Sequence, residues 1–445
     1  MKRVSIFVIV IALIAGMVGC DGVESYTLAI TTTEGGSVTT PGEGTFPYSQ
    51  GTVVNLTGEA EAGHRFVNWT GNVSTIANVN AISTNITMNN SYSIMANFEE
   101  IPTVQYQLAI NSTEGGNVAT PGEGLFAYDE GTAVNLVAEA EECYRFVDWT
   151  GDVPTLGNVT AAITTTIVNG DYCITANFEE EVVAFPDPNL ETAIREAITK
   201  PDGPIYACDL KGFTVLGAAG CNISDLTGLE YCTHLTNLDI DGNKIANISP
   251  LTNLVNLNRL DLKGNQIADV SALVNLINLQ SLDLSYNEIS NISAVGNLTN
   301  LTSLGLKDNQ ISDISALANL TNLTGMALGF NQISDISPLA SLTSLTGLSS
   351  PYNEISNISY IGNLTNLQDL DFAHNQIIDI SPLVNLISLR WIALSSNQIS
   401  DIEPLVDNSG LADGDDVYLN SNPLSETSIN TYIPQLEARG VTVYY

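Results

Sequence analysis

The 445-residue sequence predicts an α/β solenoid with a parallel β-sheet and short 3₁₀ or α turns on its convex side, preceded by two small all-β modules. Two internal repeats predict this architecture. One has a period of 80 residues and occurs twice in the N-terminal part, and the other has a period of 22 and fills the C-terminal half. A short period of this kind indicates stacked coils, because each unit can bury its apolar face only against its neighbours.

The longer repeat covers residues 26–99 and 106–179. Phe66-Val67-Asn68-Trp69-Thr70-Gly71 returns as Phe146-Val147-Asp148-Trp149-Thr150-Gly151. Short alternating or β-branched runs, separated by Gly-Gly and Pro-Gly turn signals, predict strands in both copies. Trp69 and Trp149 have the residue type that stacks on sugars. A Trp at the same place in both copies of so small a module nevertheless favours a role in its core.

The shorter repeat is marked by asparagines that stand 22 residues apart, from Asn243 to Asn397, within the pattern L-x-x-L-x-L-x-x-N-x-I-x-x-I-x-x-L-x-x-L. This is the pattern of a leucine-rich repeat. Alternate Leu side chains point inward from a short strand, and the Asn amide can pair with backbone groups of adjacent coils. A serine near each convex turn, often followed by Pro or Ala as in Ser337-Pro338, predicts a hydroxyl cap on that turn.

The register predicts ten repeats over residues 213–424, with a three-residue insertion near residues 410–416. Terminal coils need caps, because they otherwise expose an apolar face. Residues 186–212 form the predicted N-terminal cap, with a helix that follows Asp187-Pro188. Residues 425–445 form the C-terminal cap, with a helix over residues 428–438 and a closing strand over residues 441–445.

The N-terminus carries an export signal. Lys2 and Arg3 precede an apolar run from Val4 to Ala15, and small residues then lead to Cys20. The run is short for a membrane span, so residues 1–19 are predicted to be a signal peptide. The segment resembles a bacterial lipoprotein signal, although Met17 stands where Leu is commoner. The resemblance implies a lipid on Cys20, membrane attachment through it, and an anchor linker over residues 20–25; a plain uncleaved anchor is the alternative.

Residues 186–445 resemble the leucine-rich domains of internalin-type surface proteins, and the two β modules resemble the B-repeat modules of the same family. The resemblance implies a β-grasp-like stalk or spacer and a surface protein that binds a protein partner or mediates adhesion. The order of the parts departs from the family, in which the repeats usually come first and the B-type modules lead to a C-terminal wall anchor. Wall attachment and a host receptor are therefore not inferred.

The cysteines are unevenly distributed. Cys143 and Cys173 occur only in the second β module, where the first has Gly63 and Ser93. Their joint presence in a chain expected to be exported predicts a Cys143–Cys173 disulfide. Cys232 replaces a core Leu and is expected to be a buried thiol, and Cys208 with Cys221 is a second possible pair.

Charge and motifs exclude several functions. A net charge of −36 repels nucleic acid, so no nucleic-acid partner is expected. The three histidines lie in different repeats, and no catalytic or phosphate-binding motif occurs, so we expect no enzyme, no cofactor and no metal site. Asp413, Asp415 and Asp416 lie in a Gly-containing loop, where solvated acids are commoner than a cation site.

The concave face of the solenoid carries the candidate site. Asp239, Asp261 and Asp283 lie side by side there with Arg259 and Lys263, either neutralising one another or binding a cation or basic group. At the sheet edge, glycines in repeats one to three give way to Tyr286, Asp308, Phe330, Tyr352, His374 and Ser396. The predicted protein-binding residues are Tyr286, Phe330, Tyr352, His374, Trp391, Tyr418, Arg259 and Asp261. The alternative is a structural cell-envelope or glycan-binding protein without a discrete protein partner.

Overall fold

A computed structural model describes residues 24–445. The predicted signal peptide and Cys20 lie outside the described residues. The chain divides into two compact units: one contains the first β module, the other contains the solenoid, and the second module is divided between them. Within residues 24–445 no helix has the length and apolar character needed to cross a membrane.

The first β module consists of seven strands in two sheets that enclose one core. The strands are β1 (Ser25–Thr32), β2 (Gly36–Thr40), β3 (Gly44–Ser49), β4 (Val53–Ala60), β5 (His64–Gly71), β6 (Ser83–Thr87) and β7 (Tyr92–Glu100). One sheet has the order β3-β1-β7-β5 and the other the order β2-β4-β6. Trp69 is 1% exposed between them, and its Nε1 donates a hydrogen bond to the Ala81 carbonyl at 3.0 Å. The prediction that this Trp belongs to the core is confirmed.

The second module repeats this arrangement. Its strands are β8 (Gln105–Ser112), β9 (Gly116–Thr120), β10 (Gly124–Asp129), β11 (Thr132–Ala140), β12 (Tyr144–Gly151), β13 (Ile163–Val168) and β14 (Tyr172–Glu180). They form sheets of order β10-β8-β14-β12 and β13-β11-β9. Both modules are all-β, as predicted. The implied β-grasp-like fold needs correction, however, because a three-stranded sheet and not a helix covers the core of the module.

The predicted Cys143–Cys173 disulfide is wrong. In the antiparallel pair β12–β14, Tyr144 faces Glu180 and Gly151 faces Ile174. Cys143 and Cys173 therefore lie at opposite ends of the strand pair, roughly 25 Å apart at about 3.3 Å per residue. A disulfide needs Cα atoms within about 7 Å of each other. Both residues are free cysteines in the structure.

The solenoid has one parallel sheet of eleven strands in chain order. They are β15 (Val215–Gly217), β16 (Asn237–Asp239), β17 (Arg259–Asp261), β18 (Ser281–Asp283), β19 (Ser303–Gly305), β20 (Gly325–Ala327), β21 (Gly347–Ser349), β22 (Asp369–Asp371), β23 (Trp391–Ala393), β24 (Asp416–Tyr418) and β25 (Thr442–Tyr444). The register pairs equivalent residues, as in Leu260 with Leu282 and Leu282 with Leu304. The predicted fold class, a leucine-rich solenoid preceded by all-β modules, is confirmed.

An asparagine ladder runs through the solenoid interior, as the sequence predicts. Asn309 Nδ2 donates to the carbonyls of Leu284 at 3.0 Å and Leu306 at 3.2 Å, and Asn309 Oδ1 accepts from Ile289 N at 2.9 Å. One side chain thus pairs with backbone groups of its own coil and of the preceding coil. Those groups are buried and would otherwise lack partners.

The convex turns are capped differently from the prediction. The 3₁₀ turns from the second coil to the eighth begin at their serines, but the serine hydroxyl does not cap them. The cap is the Asn or Asp two residues earlier, whose Oδ1 accepts from the serine N, at 2.9 Å for Asn291 and Ser293 and at 2.8 Å for Asp313 and Ser315. The reason is geometric, since the serine is already the first residue of the turn and its own N–H is the one that needs an acceptor.

Helices close both ends of the solenoid. Helix α1 (Pro188–Ile198) buries Leu190 and Ile194 against the first coil, and Asp187 caps it by accepting from Asn189 N and Leu190 N. Helix α2 (Glu403–Asp407) replaces the last 3₁₀ turn. At the C-terminus a π-helical turn (Ser428–Tyr432) leads into α3 (Ile433–Glu437), and β25 then joins the parallel sheet.

Candidate functional site

The residue at which each coil leaves the edge of the sheet has a left-handed backbone conformation. Gly242 has φ 61° and Gly264 has φ 66°, and Phe330 and Tyr352 have φ 58° and 55° at the same place in later coils. Left-handed backbone costs an L-residue about 1–2 kcal/mol, whereas Gly adopts it freely. Aromatic residues in this column therefore have a strained backbone conformation that glycine would adopt without strain.

Lack of space does not explain the glycines of the first repeats. A Cβ added at Gly264 would approach only the Cα and N of Gly242, at 3.5 Å. Side chains therefore fit along the whole column, and only the backbone conformation favours Gly. The change to aromatic residues in later coils accordingly has a cost that packing of the solenoid does not require.

Three rings of this column stack on one another. The centroids of Phe330 and Tyr352 lie 4.2 Å apart with planes 17° apart, and those of Tyr352 and His374 lie 4.0 Å apart with planes 13° apart. Phe330 is 40% exposed and Tyr352 is 45% exposed, so the stack faces solvent. An exposed stack of this length is a surface feature that the core does not use.

Lysines extend the stack toward the first repeats. Lys307 Nζ lies 5.3 Å from the ring centre of Tyr286 and 5.2 Å from that of Phe330, and Lys263 Nζ lies 5.7 Å from Tyr286. These are cation–π distances. Asp308 stands between Tyr286 and Phe330 in the column, and Lys307 of the same coil contacts both of these rings. We refer to Tyr286, Lys307, Phe330, Tyr352 and His374 as the aromatic strip.

A second aromatic group lies on the concave face at the C-terminal end. The centroids of Trp391 and Tyr418 are 5.8 Å apart, and Tyr418 stacks on Tyr444 at 4.4 Å with planes 6° apart. Tyr444 was not among the predicted site residues. Its position in the closing strand, directly opposite Tyr418 in the register, is the signal by which it could have been found. We refer to Trp391, Tyr418 and Tyr444 as the end cluster.

A shallow groove of about 670 Å³ runs along the concave face. Its walls include charged and aromatic residues from separate coils, namely Arg259, Asp261, Asp283, Asp371 and Trp391. Its floor is formed by small residues, among them Gly325, Ala327, Gly347 and Ser349. Small residues leave room on the sheet for side chains of a bound molecule.

The carboxylates of the groove are incompletely neutralised. Burial raises the pKa of Asp261, and the neighbouring Asp283 and Asp239 raise it further, whereas a hydrogen bond from Lys263 N opposes the shift. Burial likewise raises the pKa of Asp371. Arg259 Nη2 is 4.0 Å from Asp261 Oδ2, and the Arg259 side chain is 59% exposed, so this contact is weak. The groove therefore retains negative charge that a basic partner group would neutralise.

The acidic loop has a structural role. Asp415 is 8% exposed, and its Oδ2 accepts from Ala412 N at 2.8 Å, which closes the loop before β24. Among residues 24–445 no cluster of three or more His, Cys, Asp or Glu has an arrangement suited to holding a metal ion.

The predicted site residues fall into two groups. Tyr286, Phe330, Tyr352 and His374 lie along the sheet edge, whereas the others belong to the concave face: Arg259, Asp261 and Trp391 line the groove, and Tyr418 contacts Trp391. Sequence reasoning missed Lys307 and Tyr444 as members. It also missed the backbone strain, for which Gly220, Gly242 and Gly264 were the available signal.

Sequence models of two families match the chain. Residues 26–102 and 106–182 match a divergent InlB B-repeat domain. Leucine-rich repeats in two copies match at 233–275, 255–297, 277–319, 299–341 and 365–433. Among proteins with curated descriptions, none shows significant similarity.

Solved structures of other proteins are similar to this chain over part of its length. An internalin (inlF) from Listeria monocytogenes is 34% identical, with a TM-score of 0.50 over 58% of this chain and 88% of that chain. An internalin C2 from the same organism is 37% identical, with a TM-score of 0.46 over 48% of this chain and 94% of that chain.

Proposed function

We propose, from the premise that this chain belongs to the internalin-type leucine-rich-repeat proteins, that its solenoid binds a protein partner outside the cell. The partner contacts the aromatic strip and the concave groove. The two β modules act as a spacer between the solenoid and the attachment point of the chain.

The observation that carries this proposal is the position of the exposed aromatic stack on strained backbone. Phe330, Tyr352 and His374 all have positive φ, and the same column holds glycine in repeats one to three. Each of the two stacks contributes about 0.5–1.5 kcal/mol, which is less than the backbone cost of about 1–2 kcal/mol at each of the three residues. Stability alone therefore does not account for the aromatic residues, whereas a binding surface does, because such residues are enriched among interface anchors.

The chemistry of the surface favours a partner that presents both apolar and basic groups. The aromatic strip supplies apolar area, and the adjacent groove supplies Asp261, Asp283 and Asp371. A Lys or Arg of the partner in the groove would neutralise carboxylates whose pKa is raised because burial disfavours their charge. Electrostatic complementarity of this kind mainly determines specificity and the rate of association.

Glycan binding is the second candidate, and the ring geometry disfavours it. A sugar stacks on the face of an aromatic ring, but the faces of Tyr352 are covered by Phe330 and His374. The strip therefore presents mostly ring edges to solvent. Edges fit the irregular apolar surface of a protein better than the flat face of a sugar ring.

A site-specific crosslinking experiment tests the proposal on the full chain. A benzophenone amino acid replaces Tyr352 on the strip in one variant and Asn319 on a convex turn in the other. We expect a protein to crosslink to the first and not to the second, and we expect that protein, once purified, to bind the unmodified chain in calorimetry. Equal capture at both positions, or capture of glycan alone, would contradict a protein site on this face.

We further propose that the chain is attached to a membrane through a lipid on Cys20. The short apolar run that ends in small residues before this cysteine supports the proposal. Two β modules between Cys20 and the solenoid then give the binding surface reach from the membrane.

A further inference from the structure

Two cysteines that are distant in sequence lie on neighbouring segments within one compact unit of the chain. Residues 134–166 and 173–445 belong to the same unit. Cys143 lies in the turn before β12, and Cys208 lies in the 3₁₀ turn Ala207–Leu210 of the N-terminal cap. Backbone hydrogen bonds join both segments to Glu181, and Cys208 lies near enough to Cys143 to contribute to the raised pKa of its thiol. We propose that Cys143 and Cys208 form a disulfide that fastens the second β module to the cap of the solenoid.

Backbone contacts bring the two residues together. Glu181 N donates to the Cys143 carbonyl at 2.9 Å, and Ala207 N donates to the Glu181 carbonyl at 2.8 Å. Glu181 thus links the residue that bears one thiol to the immediate neighbour of the other. Val182 and Tyr206 form an antiparallel bridge directly beyond this point. Several backbone hydrogen bonds therefore hold the segment that bears Cys143 next to the segment that bears Cys208.

Charged side chains reinforce the same junction. Lys211 Nζ is 2.6 Å from Glu142 Oε2, and the Tyr231 hydroxyl donates to Glu181 Oε1 at 2.9 Å. Glu142 directly precedes Cys143, and Lys211 lies three residues after Cys208. The ion pair and the backbone bridge therefore both join the two segments that bear the cysteines.

Comparison of the two modules shows that the first has glycine at the position of Cys143. Its counterpart, Gly63, has φ 82°, and a Cβ built there would meet no atom within 4 Å. Cys143 keeps a φ of 76°, a conformation that is unfavourable for a side-chain-bearing residue. Cys143 thus has a side chain on strained backbone at a position beside the segment that bears Cys208.

The remaining cysteines have other surroundings. Cys173 Sγ accepts a hydrogen bond from Asn111 Nδ2 at 3.7 Å at the far end of the module, and Cys221 Sγ donates to the Ala219 carbonyl at 3.4 Å. Cys232 is fully buried, and burial raises the pKa of its thiol to about 12. Cys208 and Cys221 are both free cysteines in the structure, and we take Cys143 rather than Cys221 as the partner of Cys208 because Glu181 joins the Cys143 and Cys208 segments.

Oxidation proceeds by thiol–disulfide exchange with a disulfide oxidant, such as a disulfide oxidoreductase or glutathione disulfide. Cys208 is exposed and loses its proton, attacks the oxidant disulfide and forms a mixed disulfide, while one oxidant thiol departs. Cys143 then loses its proton and attacks the Cys208 sulfur, which releases the second oxidant thiol. Two protein thiols lose two electrons and two protons, and the oxidant disulfide is reduced to two thiols.

Burial, and then the neighbouring Cys208, raise the pKa of Cys143 to about 11, so only a small fraction of the Cys143 thiol is ionised at neutral pH. The ammonium group of Lys211 opposes this shift. Closure of the bond should therefore accelerate as the pH rises.

Peptide mapping of the full chain tests the proposal. The purified chain is equilibrated with glutathione disulfide, its remaining thiols are blocked with iodoacetamide, and it is digested with trypsin without reduction. Cleavage after Arg145, Arg195 and Lys211 separates Cys143, Cys173 and Cys208 onto different peptides. We expect one crosslinked pair that contains Cys143 and Cys208. It should be absent from Cys208→Ser and present in the matched control Cys221→Ser.

Hydrogen exchange supplies a second measurement. The amides of Glu181 and Ala207 should exchange more slowly in the oxidised chain than in the reduced chain, and this difference should vanish in Cys143→Ser. Cys143 that remains alkylated, carries only glutathione, or is linked to Cys173 or Cys221 would overturn the proposal. The experiment does not depend on the partner of the solenoid.

Discussion

The ring of Phe330 lies on the ring of Tyr352 at a centroid distance of 4.2 Å, although the backbone of both residues is left-handed. The two residues are 22 positions apart and occupy the same place in consecutive coils. The stack is therefore a product of the repeat, which places equivalent side chains one strand spacing apart, about 4.8 Å. Any planar side chains at this column in adjacent coils would be brought into contact in the same way.

The asparagine ladder yields a prediction about stability. Asn309→Ala should lower the free energy of unfolding by about 1–3 kcal/mol, because the carbonyls of Leu284 and Leu306 and the N–H of Ile289 lose a buried partner. Chemical denaturation of the full chain measures this change. The exposed neighbour Gln310→Ala is the control and should have little effect, and equal changes for the two variants would contradict the ladder.

The convex caps provide a test of the corrected assignment. Asp313→Ala should lower the melting temperature more than Ser315→Ala, because the Asp313 carboxylate accepts from Ser315 N whereas the serine hydroxyl does not cap the turn. Thermal unfolding followed by circular dichroism compares the two variants. A larger loss for Ser315→Ala would restore the hydroxyl as the capping group.

Features that recur at the repeat period could be predicted from the sequence, whereas features that do not recur could not. The Leu, Ile and Asn columns recur at a fixed period because burial is the same in every coil, so fold class and ladder followed from spacing. The left-handed column was visible as Gly220, Gly242 and Gly264, but the later aromatic residues concealed its backbone requirement. The proximity of Cys143 and Cys208 depends on how two segments from different repeats approach each other, and neither period contains that information.

The groove carboxylates yield a prediction about pH. The folded-state pKa of Asp261 is raised above 3.8 because burial and nearby aspartates disfavour its charge. Its ionised form therefore destabilises the folded state, and this destabilisation is absent below pH 3.8 and complete above the folded-state pKa. Asp261→Asn should raise the melting temperature at about pH 7, and the difference should disappear as the pH falls toward about 4.

The control for this pH effect is Asp335→Asn on the convex side. It removes the same charge, and the new amide oxygen can still accept from Ser337 N. We expect a smaller change in the melting temperature at neutral pH than for Asp261→Asn. A melting temperature that falls for Asp261→Asn at neutral pH would show that Arg259 and Lys263 neutralise the groove, which is the alternative interpretation of these residues.

The proposed lipid anchor is tested at Cys20. Cys20→Ser should prevent lipid attachment, so the variant should move from the detergent phase to the aqueous phase and should lose the mass of the lipid. Intact-mass measurement and detergent partitioning of the chain produced in bacteria decide the matter. Unchanged mass and unchanged partitioning in the variant would leave an uncleaved apolar anchor as the explanation.

The last prediction concerns binding, and glycine is the substitution that isolates it. Phe330→Ala would remove the stack and retain the strained backbone, so a loss of stability would accompany any loss of binding. Phe330→Gly also removes the strain of about 1–2 kcal/mol, which offsets its one lost ring stack of about 0.5–1.5 kcal/mol. Tyr352→Gly removes the same strain but loses two ring stacks, those with Phe330 and His374. We expect Phe330→Gly to melt close to the unsubstituted chain and Tyr352→Gly to melt slightly lower, and we expect both to bind the crosslinked partner at least about tenfold more weakly in calorimetry.

The matched control is Ser396→Gly. Ser396 occupies the same left-handed column, with φ 56°, but carries no aromatic ring. It should gain slightly in stability, because Gly removes the strain without loss of a stack, and it should bind the partner normally. If Ser396→Gly weakened binding as much as Tyr352→Gly did, backbone conformation at the column would be the determinant. The aromatic strip would then not be the binding surface, because the substitution that removes a ring would act no differently from one that removes only a hydroxymethyl group.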